Sequence, residues 1–176
     1  MSVIEPVVLS PYSPLWPAVF DFEKQRLLEI MGADDAVVEH VGSTAVPGMG
    51  AKPIIDVMVG VADLAMIERR IPALVEDGYR YVPEFERAIP ERRYFVKARG
   101  QPGHFHLHGV VFAGPFWKRL LAFRDALRAD AALAAEYWKL KQRLAARFPN
   151  DREAYTEGKT TFIREVEARA GLRRGP

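Results

Sequence analysis

Apolar residues in the first two thirds of the chain change from helical to alternating spacing, which predicts a sheet with helices before and within it. Ser13 is predicted to cap the first helix with Pro14 in its first turn, and Gly32 is predicted to end it. Short segments rich in β-branched and aromatic residues then follow, as is typical of strands. The predicted strands cover residues 37–41, 54–61, 79–82, 93–97 and 105–112, and a second helix covers 63–77.

The last third of the chain is patterned throughout as helix. Pro115 is predicted to open one helix, Asp130 a second and Asn150 a third. No repeat or linker divides the chain, so we predict a single domain over residues 1–176. Its fold class is α+β, with a mixed sheet flanked by helices and a C-terminal helical segment. Residues 167–176 are expected to form a frayed basic tail.

Composition and charge narrow the possible partners. Lys and Arg total 25 against 23 Asp and Glu, a net charge of +2, so the chain lacks the basic surface of a dedicated nucleic-acid-binding domain. The absence of cysteine excludes disulfides, thiolate zinc sites and a cysteine nucleophile. No segment approaches the roughly 18 apolar residues of a membrane span, and the first residues lack the pattern of a signal peptide. We therefore expect a cytoplasmic protein with no membrane or nucleic-acid partner.

A glycine–serine loop follows the first predicted strand. Small residues at Gly42, Ser43 and Thr44 let backbone N–H groups approach an anion, although the same residues also suit a plain tight turn. Lys52 and Asp56 follow on the next strand. An acid within an apolar strand costs several kcal/mol unless it is paired, hydrogen-bonded or bound to a metal. Asp56 is therefore either a functional acid or a structural partner of Lys52 or of a backbone group.

Three of the four histidines lie within five residues, at His104, His106 and His108. Alternation along a strand places all three side chains on one face. Such a face offers four interpretations: a divalent metal site completed by a carboxylate, a phosphate site, a general acid or base, or a hydrogen-bonded polar surface.

Three further cations are candidates for binding phosphate. Arg93 and Lys97 alternate onto one strand face, which either presents two cations to a ligand or forms a solvated strand edge. Lys159 lies inside the apolar stripe of the last helix, between Tyr155 and Phe162. Its ammonium group therefore either extends past the core to solvent or reaches a site.

Taken together, these motifs resemble the GrpB family. The matching segments are PY-xxx-WP at 11–17, EHVGSTAVPG at 39–48, KPIIDV at 52–57, HLH at 106–108 and Y-xxx-K-xx-FI at 155–163. They span roughly residues 7–166. The family is grouped with the nucleotidyltransferase superfamily, and some members are fused to dephospho-coenzyme A kinase. The resemblance therefore implies a nucleotidyltransferase-like fold.

The resemblance also implies a chemistry, the metal-dependent transfer of a nucleotide from a nucleoside triphosphate to a small acceptor. In that superfamily a Gly-Ser loop holds phosphates, and carboxylates on a strand hold divalent metal ions that stabilise the leaving pyrophosphate. Here Asp56 follows Ser43 at the matching distance, but Met58 stands where a second acid is expected. That departure puts ordinary two-metal catalysis in doubt.

We therefore expect a modified site. Its predicted metal ligands are Asp56, His106 and His108, whose two imidazoles favour zinc, manganese or nickel over magnesium. Glu39 and His40 are candidates for an acid–base pair or for supporting partners. The predicted phosphate-binding residues are Gly42, Ser43, Thr44, Lys52, Arg93, Lys97 and Lys159. Two alternatives remain open: a degenerate module that binds a nucleotide or another phosphorylated small molecule, and a metal-dependent phosphohydrolase.

Overall fold

The computed structural model of the chain describes residues 6–98 and 104–171. Its elements follow the predicted order: a helix, strands interrupted by a second helix, and then helices only. The helices are α1 (Trp16–Met31), α2 (Leu64–Glu76), α3 (Pro115–Ala129), α4 (Ala131–Arg147), α5 (Arg152–Glu157) and α6 (Thr160–Arg169). The strands are β1 (Val37–Val41), β2 (Ile55–Val61), β3 (Arg80–Tyr81), β4 (Arg92–Lys97) and β5 (Phe105–Val111). Two 3₁₀ turns cover Ser43–Ala45 and Pro83–Phe85.

The strands form one sheet in the order β1-β2-β5-β4-β3. β2 and β5 pair in parallel, and the other neighbouring strands pair antiparallel. The two central strands are rich in apolar and β-branched residues, which suits strands that are covered on both faces. The predicted α+β fold with a mixed sheet between helices is confirmed.

Successive side chains of β2 enter two different cores. Val57 and Val59 pack with the apolar side chains of α1 and α2, whereas Met58 packs with Phe116 and Trp117 of α3. Asp56 shares the face of Met58, because side chains alternate along a strand. We call this the cleft face and the face covered by α1 and α2 the opposite face. The alternation brings Asp56 toward the C-terminal helices.

Most predicted bounds agree with the structure to within one residue, but the start of the first helix and the extent of the last predicted helix differ more. The first helix begins at Trp16 after Leu15, and the Ser13 hydroxyl accepts a hydrogen bond from the Leu15 amide instead of capping the helix. Asp151, and not Asn150, is the N-cap of α5, because its carboxylate accepts a hydrogen bond from the Ala154 amide. The single predicted third helix is divided into α5 and α6 by the segment 158–159. The sequence also predicts a turn from Gly100 to Gly103, before the last strand, and this turn lies outside the described residues.

The predicted tail begins too early. α6 continues to Arg169, and Glu167 is only 2% exposed, because the last turn of the helix packs onto the domain. Residues 172–176 lie outside the described part of the chain. Within that part, none of the helices is both long and apolar enough to cross a membrane.

Candidate functional site

A cleft of about 1250 Å³ opens between the sheet, the Ser43–Ala45 turn and the helices α4 and α5. Strands β2, β4 and β5 supply its floor, because their cleft-face side chains lie in register with one another. Its lining includes side chains from most of the predicted motifs: Ser43, Thr44, Lys52, Asp56, His104, His106 and Lys159.

Asp56 lies at the centre of a hydrogen-bonded group with two histidines. Its Oδ1 is 3.5 Å from Nδ1 of His106 and 3.4 Å from Nε2 of His108. The parallel pairing of β2 with β5 causes this convergence, because it places His106 directly beside Asp56. Burial alone would raise the pKa of Asp56, but contact with the two imidazoles outweighs burial and holds that pKa well below its usual range. Asp56 is therefore a carboxylate at neutral pH.

His108 connects Asp56 to an arginine that the sequence analysis did not select. Burial lowers the pKa of His108, so its ring is neutral at pH 7. Arg92 Nη1 lies 3.4 Å from Nδ1 of His108, and a guanidinium group can only donate. His108 therefore accepts at Nδ1 from Arg92 and donates its Nε2–H to Asp56.

Gly42 is required by its contact with Asp56. Its φ of +72° lies in the region that favours glycine, and an added Cβ would lie 2.4 Å from Oδ2 of Asp56. The chain then turns through Ser43–Ala45, where Ser43 forms a hydrogen-bonding contact with Tyr137 of α4. The predicted glycine–serine loop is thus a tight turn built against the strand acid.

The hydroxyl group of Thr44 forms hydrogen bonds within the protein. It donates to the Ile54 carbonyl at 3.3 Å, so the 3.0 Å contact with His40 requires His40 to donate its Nε2–H. His40 stacks on Phe20 of α1, and burial lowers its pKa to about 4. Thr44 lines the cleft but is only 1% exposed.

The predicted acid–base pair does not face the cleft. His40 points to the opposite face because it alternates with Glu39 along β1, and its role in the structure is to hold Thr44. Glu39 accepts a hydrogen bond of 2.7 Å from Arg124, which also donates to the His40 carbonyl. The geometry therefore favours the second interpretation made from sequence, in which Glu39 and His40 support neighbouring residues and do not form an acid–base pair.

Three lysines line the other wall of the cleft, and two of them lie over the ring of Tyr155. Nζ of Lys52 lies 5.2 Å and Nζ of Lys159 4.4 Å from the centre of the Tyr155 ring. Lys141, which was missed from sequence, also lines the cleft and donates to the Gly50 carbonyl at 2.6 Å. Burial and the neighbouring lysines lower the pKa of Lys141 to about 7, and burial and Lys52 lower that of Lys159 to about 8.

A sequence signal for Lys141 did exist. Lys141 lies four residues after Tyr137 and three before Leu144, within the apolar stripe of α4. Lys159 interrupts the apolar stripe of the last predicted helix in the same way. Of the two interpretations of Lys159, the structure supports an ammonium group in the cleft.

Arg93 and Lys97 lie on the opposite face and not in the cleft. Tyr94 and Val96 of β4 lie beside His108 and His106, on the face of Asp56. Because side chains alternate along a strand, Arg93 and Lys97 point away from Asp56. Arg93 forms an ion pair of 2.7 Å with Glu68 of α2. Lys97 forms ion pairs with Glu23 of α1 and with Asp77, the residue that follows α2. The expectation that Arg93 and Lys97 bind phosphate in this cleft is therefore wrong, and Arg92 is the β4 cation that lines it.

The predicted metal ligands converge, but their arrangement is that of a hydrogen-bonded group. Both imidazoles approach the same oxygen of Asp56, at hydrogen-bonding distances. Among the described residues, no group of three His, Asp or Glu side chains is arranged to hold a metal ion. The residues as placed therefore do not fit a three-ligand metal centre.

Comparisons with known proteins agree with this architecture. The UPF0157 protein YqkA of Bacillus subtilis is 37% identical over 159 residues, which are 90% of this chain but only 46% of YqkA. The glutamate-rich protein GrpB of Alkalihalophilus pseudofirmus is 36% identical, covering 91% of this chain and 93% of that protein.

Solved structures show the same fold. The conserved protein GrpB of Enterococcus faecalis superposes with a TM-score of 0.82 at 34% identity, covering 93% of this chain and 96% of that one. The Cid1 poly(U) polymerase, solved with 3′-dATP, has a TM-score of 0.50 at 12% identity, covering 81% of this chain and 46% of that one. This similarity confirms the nucleotidyltransferase-like fold and nothing finer. The family model described as GrpB protein matches residues 6–169, so the chain belongs to the GrpB family.

Proposed function

We propose that the cleft binds the phosphate groups of a nucleoside triphosphate or of another phosphorylated small molecule. The observation that carries this proposal is the lysine group of Lys52, Lys141 and Lys159. None of the three forms an ion pair with a carboxylate among the described residues. Buried charges are normally paired, and a polyphosphate supplies the missing negative charge.

The pKa values of these lysines support a multiply charged ligand. Repulsion among the ammonium groups contributes to the lowered pKa of Lys141 and of Lys159. A bound phosphate chain would relieve that repulsion and favour the charged form of each group. Phosphate binding is therefore expected to take up protons near pH 7 to 8.

Transfer of the nucleotide to a small acceptor is the reaction that we propose for this cleft. The fold is nucleotidyltransferase-like, and Ser43 and Thr44 of the Ser43–Ala45 turn line one cavity with Asp56 and the three lysines. Because the ligand set of Asp56, His106 and His108 does not fit a metal centre as placed, no step is assigned to a metal. Whether nucleotide binding depends on zinc, manganese or magnesium is tested in the titration below.

A second candidate is a binding module that has lost catalysis. Met58, which replaces the expected second acid, is completely buried among Val41, Val110, Phe116 and Trp117. An acid at that position would have to be buried in an apolar cluster, at a cost of several kcal/mol. This packing favours binding without transfer.

Calorimetric titration distinguishes these functions. ATP, GTP, CTP and UTP are titrated with magnesium, manganese or zinc and without metal, against the parent protein and the variants Lys159→Gln and Lys118→Gln. Lys118 is an exposed residue of α3 and serves as the matched control. We expect the Lys159 variant to bind about tenfold more weakly, since a charge-assisted contact is lost.

The products then separate the alternatives. Release of pyrophosphate marks a transferase, release of inorganic phosphate marks a phosphohydrolase, and binding with neither product marks the binding module. Failure of every nucleotide and of inorganic tripolyphosphate to bind would refute phosphate binding in this cleft.

A further inference from the structure

The end of the cleft away from the lysines has a different chemistry. Four of its lining residues, at the β4 edge, are aromatic, aliphatic or cationic: Phe85, Ile89, Arg92 and Tyr94. Phe85 is 48% exposed, and its ring lies 5.6 Å from that of Tyr94. Large exposed aromatic side chains at the rim of a cavity are suited to packing against a ligand.

Arg92 is the unusual member of this group, because its charge has no carboxylate partner. It forms no ion pair within the described residues, and its Nε is buried without a hydrogen-bond partner there. Its guanidinium carbon lies 4.6 Å from the ring of Tyr94, 5.8 Å from that of Phe116 and 6.0 Å from that of Phe85. Stacking on rings offsets only part of the cost of burying this charge.

We propose that this end of the cleft, the Arg92 subsite, binds a planar aromatic carboxylate. Phe85 and Tyr94 would contact the flat ring, and the guanidinium group of Arg92 would receive the carboxylate. A single delocalised cation matches a monoanion, whereas the lysine group matches the several charges of a phosphate chain.

The position of the subsite suggests which substrate it serves. Arg92 contacts His108, and His108 contacts Asp56, so the subsite lies next to the carboxylate that faces the lysine group across the cleft. At about 1250 Å³ the cleft exceeds the roughly 300–1000 Å³ of a single small-molecule pocket. Two ligands can therefore occupy it together. The identification of the aromatic carboxylate as the acceptor rests on the proposed function, but its binding does not.

Calorimetry with 2-naphthoate tests the subsite, and the neutral 2-naphthamide isolates the contribution of the charge. We expect the parent protein to prefer 2-naphthoate by about tenfold, since one charge-assisted contact is lost with the amide. Arg92→Gln is expected to abolish the preference and Arg92→Lys to restore part of it. Phe85→Ser should weaken both probes by about threefold through loss of the ring contact. Phe22→Ser, on an equally exposed phenylalanine of α1, should change neither affinity.

Thermal unfolding of each variant separates a lost site from a lost fold, and Phe85→Ser tests the site even if Arg92→Gln does not fold. Equal affinity of the parent for the two probes, or an unchanged preference in folded Arg92→Gln, would overturn the proposal. Inorganic tripolyphosphate separates it from the phosphate site: Arg92→Gln should keep tripolyphosphate binding, and Lys159→Gln should keep 2-naphthoate binding. If 2-naphthoate binds but neither tripolyphosphate nor any of the four nucleotides does, the subsite is upheld and the proposed function is refuted.

Discussion

Two groups of cations, one in the cleft and one on the opposite face of the sheet, differ in whether a carboxylate pairs with them. On the opposite face, Lys97 lies 3.0 Å from Glu23 and 2.8 Å from Asp77, and Arg93 lies 2.7 Å from Glu68. In the cleft, Arg92 and Lys159 form no such ion pair among the described residues. Neighbouring residues of one strand, Arg92 and Arg93, thus belong to different electrostatic environments.

This contrast separates structural from functional charge. A cation whose partner carboxylate is buried beside it contributes to the fold, and removing it leaves an unpaired acid. A buried cation without a partner contributes little or negatively to stability, so its presence points to a ligand. The predictions below test this distinction, beginning with the largest expected effect.

Lys97→Met should have the largest effect on stability. It leaves Glu23, which is fully buried, with only its hydrogen bond from Tyr79, and is expected to lower the free energy of unfolding by about 3–5 kcal/mol. Chemical denaturation measures the loss. Arg26→Met, which removes a half-exposed partner of Asp77, is the control and should cost less than about 1 kcal/mol. Equal losses in the two variants would contradict a buried structural role for Lys97.

Gly42→Ala should displace Asp56 and so disrupt the cleft. The positive φ and the collision with Asp56 together are expected to cost about 2–3 kcal/mol and to abolish tripolyphosphate binding. Gly48→Ala is the matched control, because Gly48 also has a positive φ, of +78°, but an added Cβ meets nothing within 4 Å. Denaturation and calorimetry of both variants check this. If Gly48→Ala were as damaging as Gly42→Ala, contact with Asp56 would not be the cause.

Stability and phosphate affinity should change in opposite directions with pH. The pKa of Lys141 is about 7 in the folded chain but near 10.5 when unfolded, so above pH 7 the unfolded state binds more protons. Stability of the ligand-free protein from this group therefore rises between pH 7 and 9, by about 2 kcal/mol. Affinity for tripolyphosphate falls over the same range as the lysines lose their charge. Denaturation and titration at several pH values measure both trends, and Lys141→Met should flatten them.

Lys159→Met should have the smallest effect on stability and a clear effect on binding. Removing a half-buried cation without a carboxylate partner is expected to raise the free energy of unfolding by up to about 1 kcal/mol. Its affinity for tripolyphosphate should nevertheless fall about tenfold, the loss of one charge-assisted contact. Denaturation and calorimetry on the same preparation test the pair of outcomes. A destabilised variant with unchanged affinity would show that Lys159 is structural, as Lys97 is.

Local pattern was sufficient to predict most elements and the central group of the site. β1 was predicted with its observed bounds. Alternation placed His106 and His108 on one face of β5, and Asp56 on the same face of β2 as Met58. Their convergence follows from parallel pairing in register, which sequence alone did not specify. The break between α5 and α6 was missed because the apolar stripe continues across it.

Which face of the sheet a side chain occupies could not be predicted. Alternation correctly grouped Arg93 with Lys97, but a period of two says only that residues share a face. The acids of α1 and α2 that pair with them come from distant segments of the chain. For the same reason Glu39 and His40, adjacent in sequence, were assigned one role, whereas the strand separates them onto two faces.

The sequence by itself determined most of the secondary structure and the family, because these depend on local spacing and on motifs of neighbouring residues. Only the tertiary structure decided which cations are paired and which face the cleft. Lys52, Lys141 and Lys159 come from a loop and two C-terminal segments, and their proximity depends on helix packing. Ion pairing requires contact within a few ångströms, and contacts between distant segments are set by the packing of the whole domain.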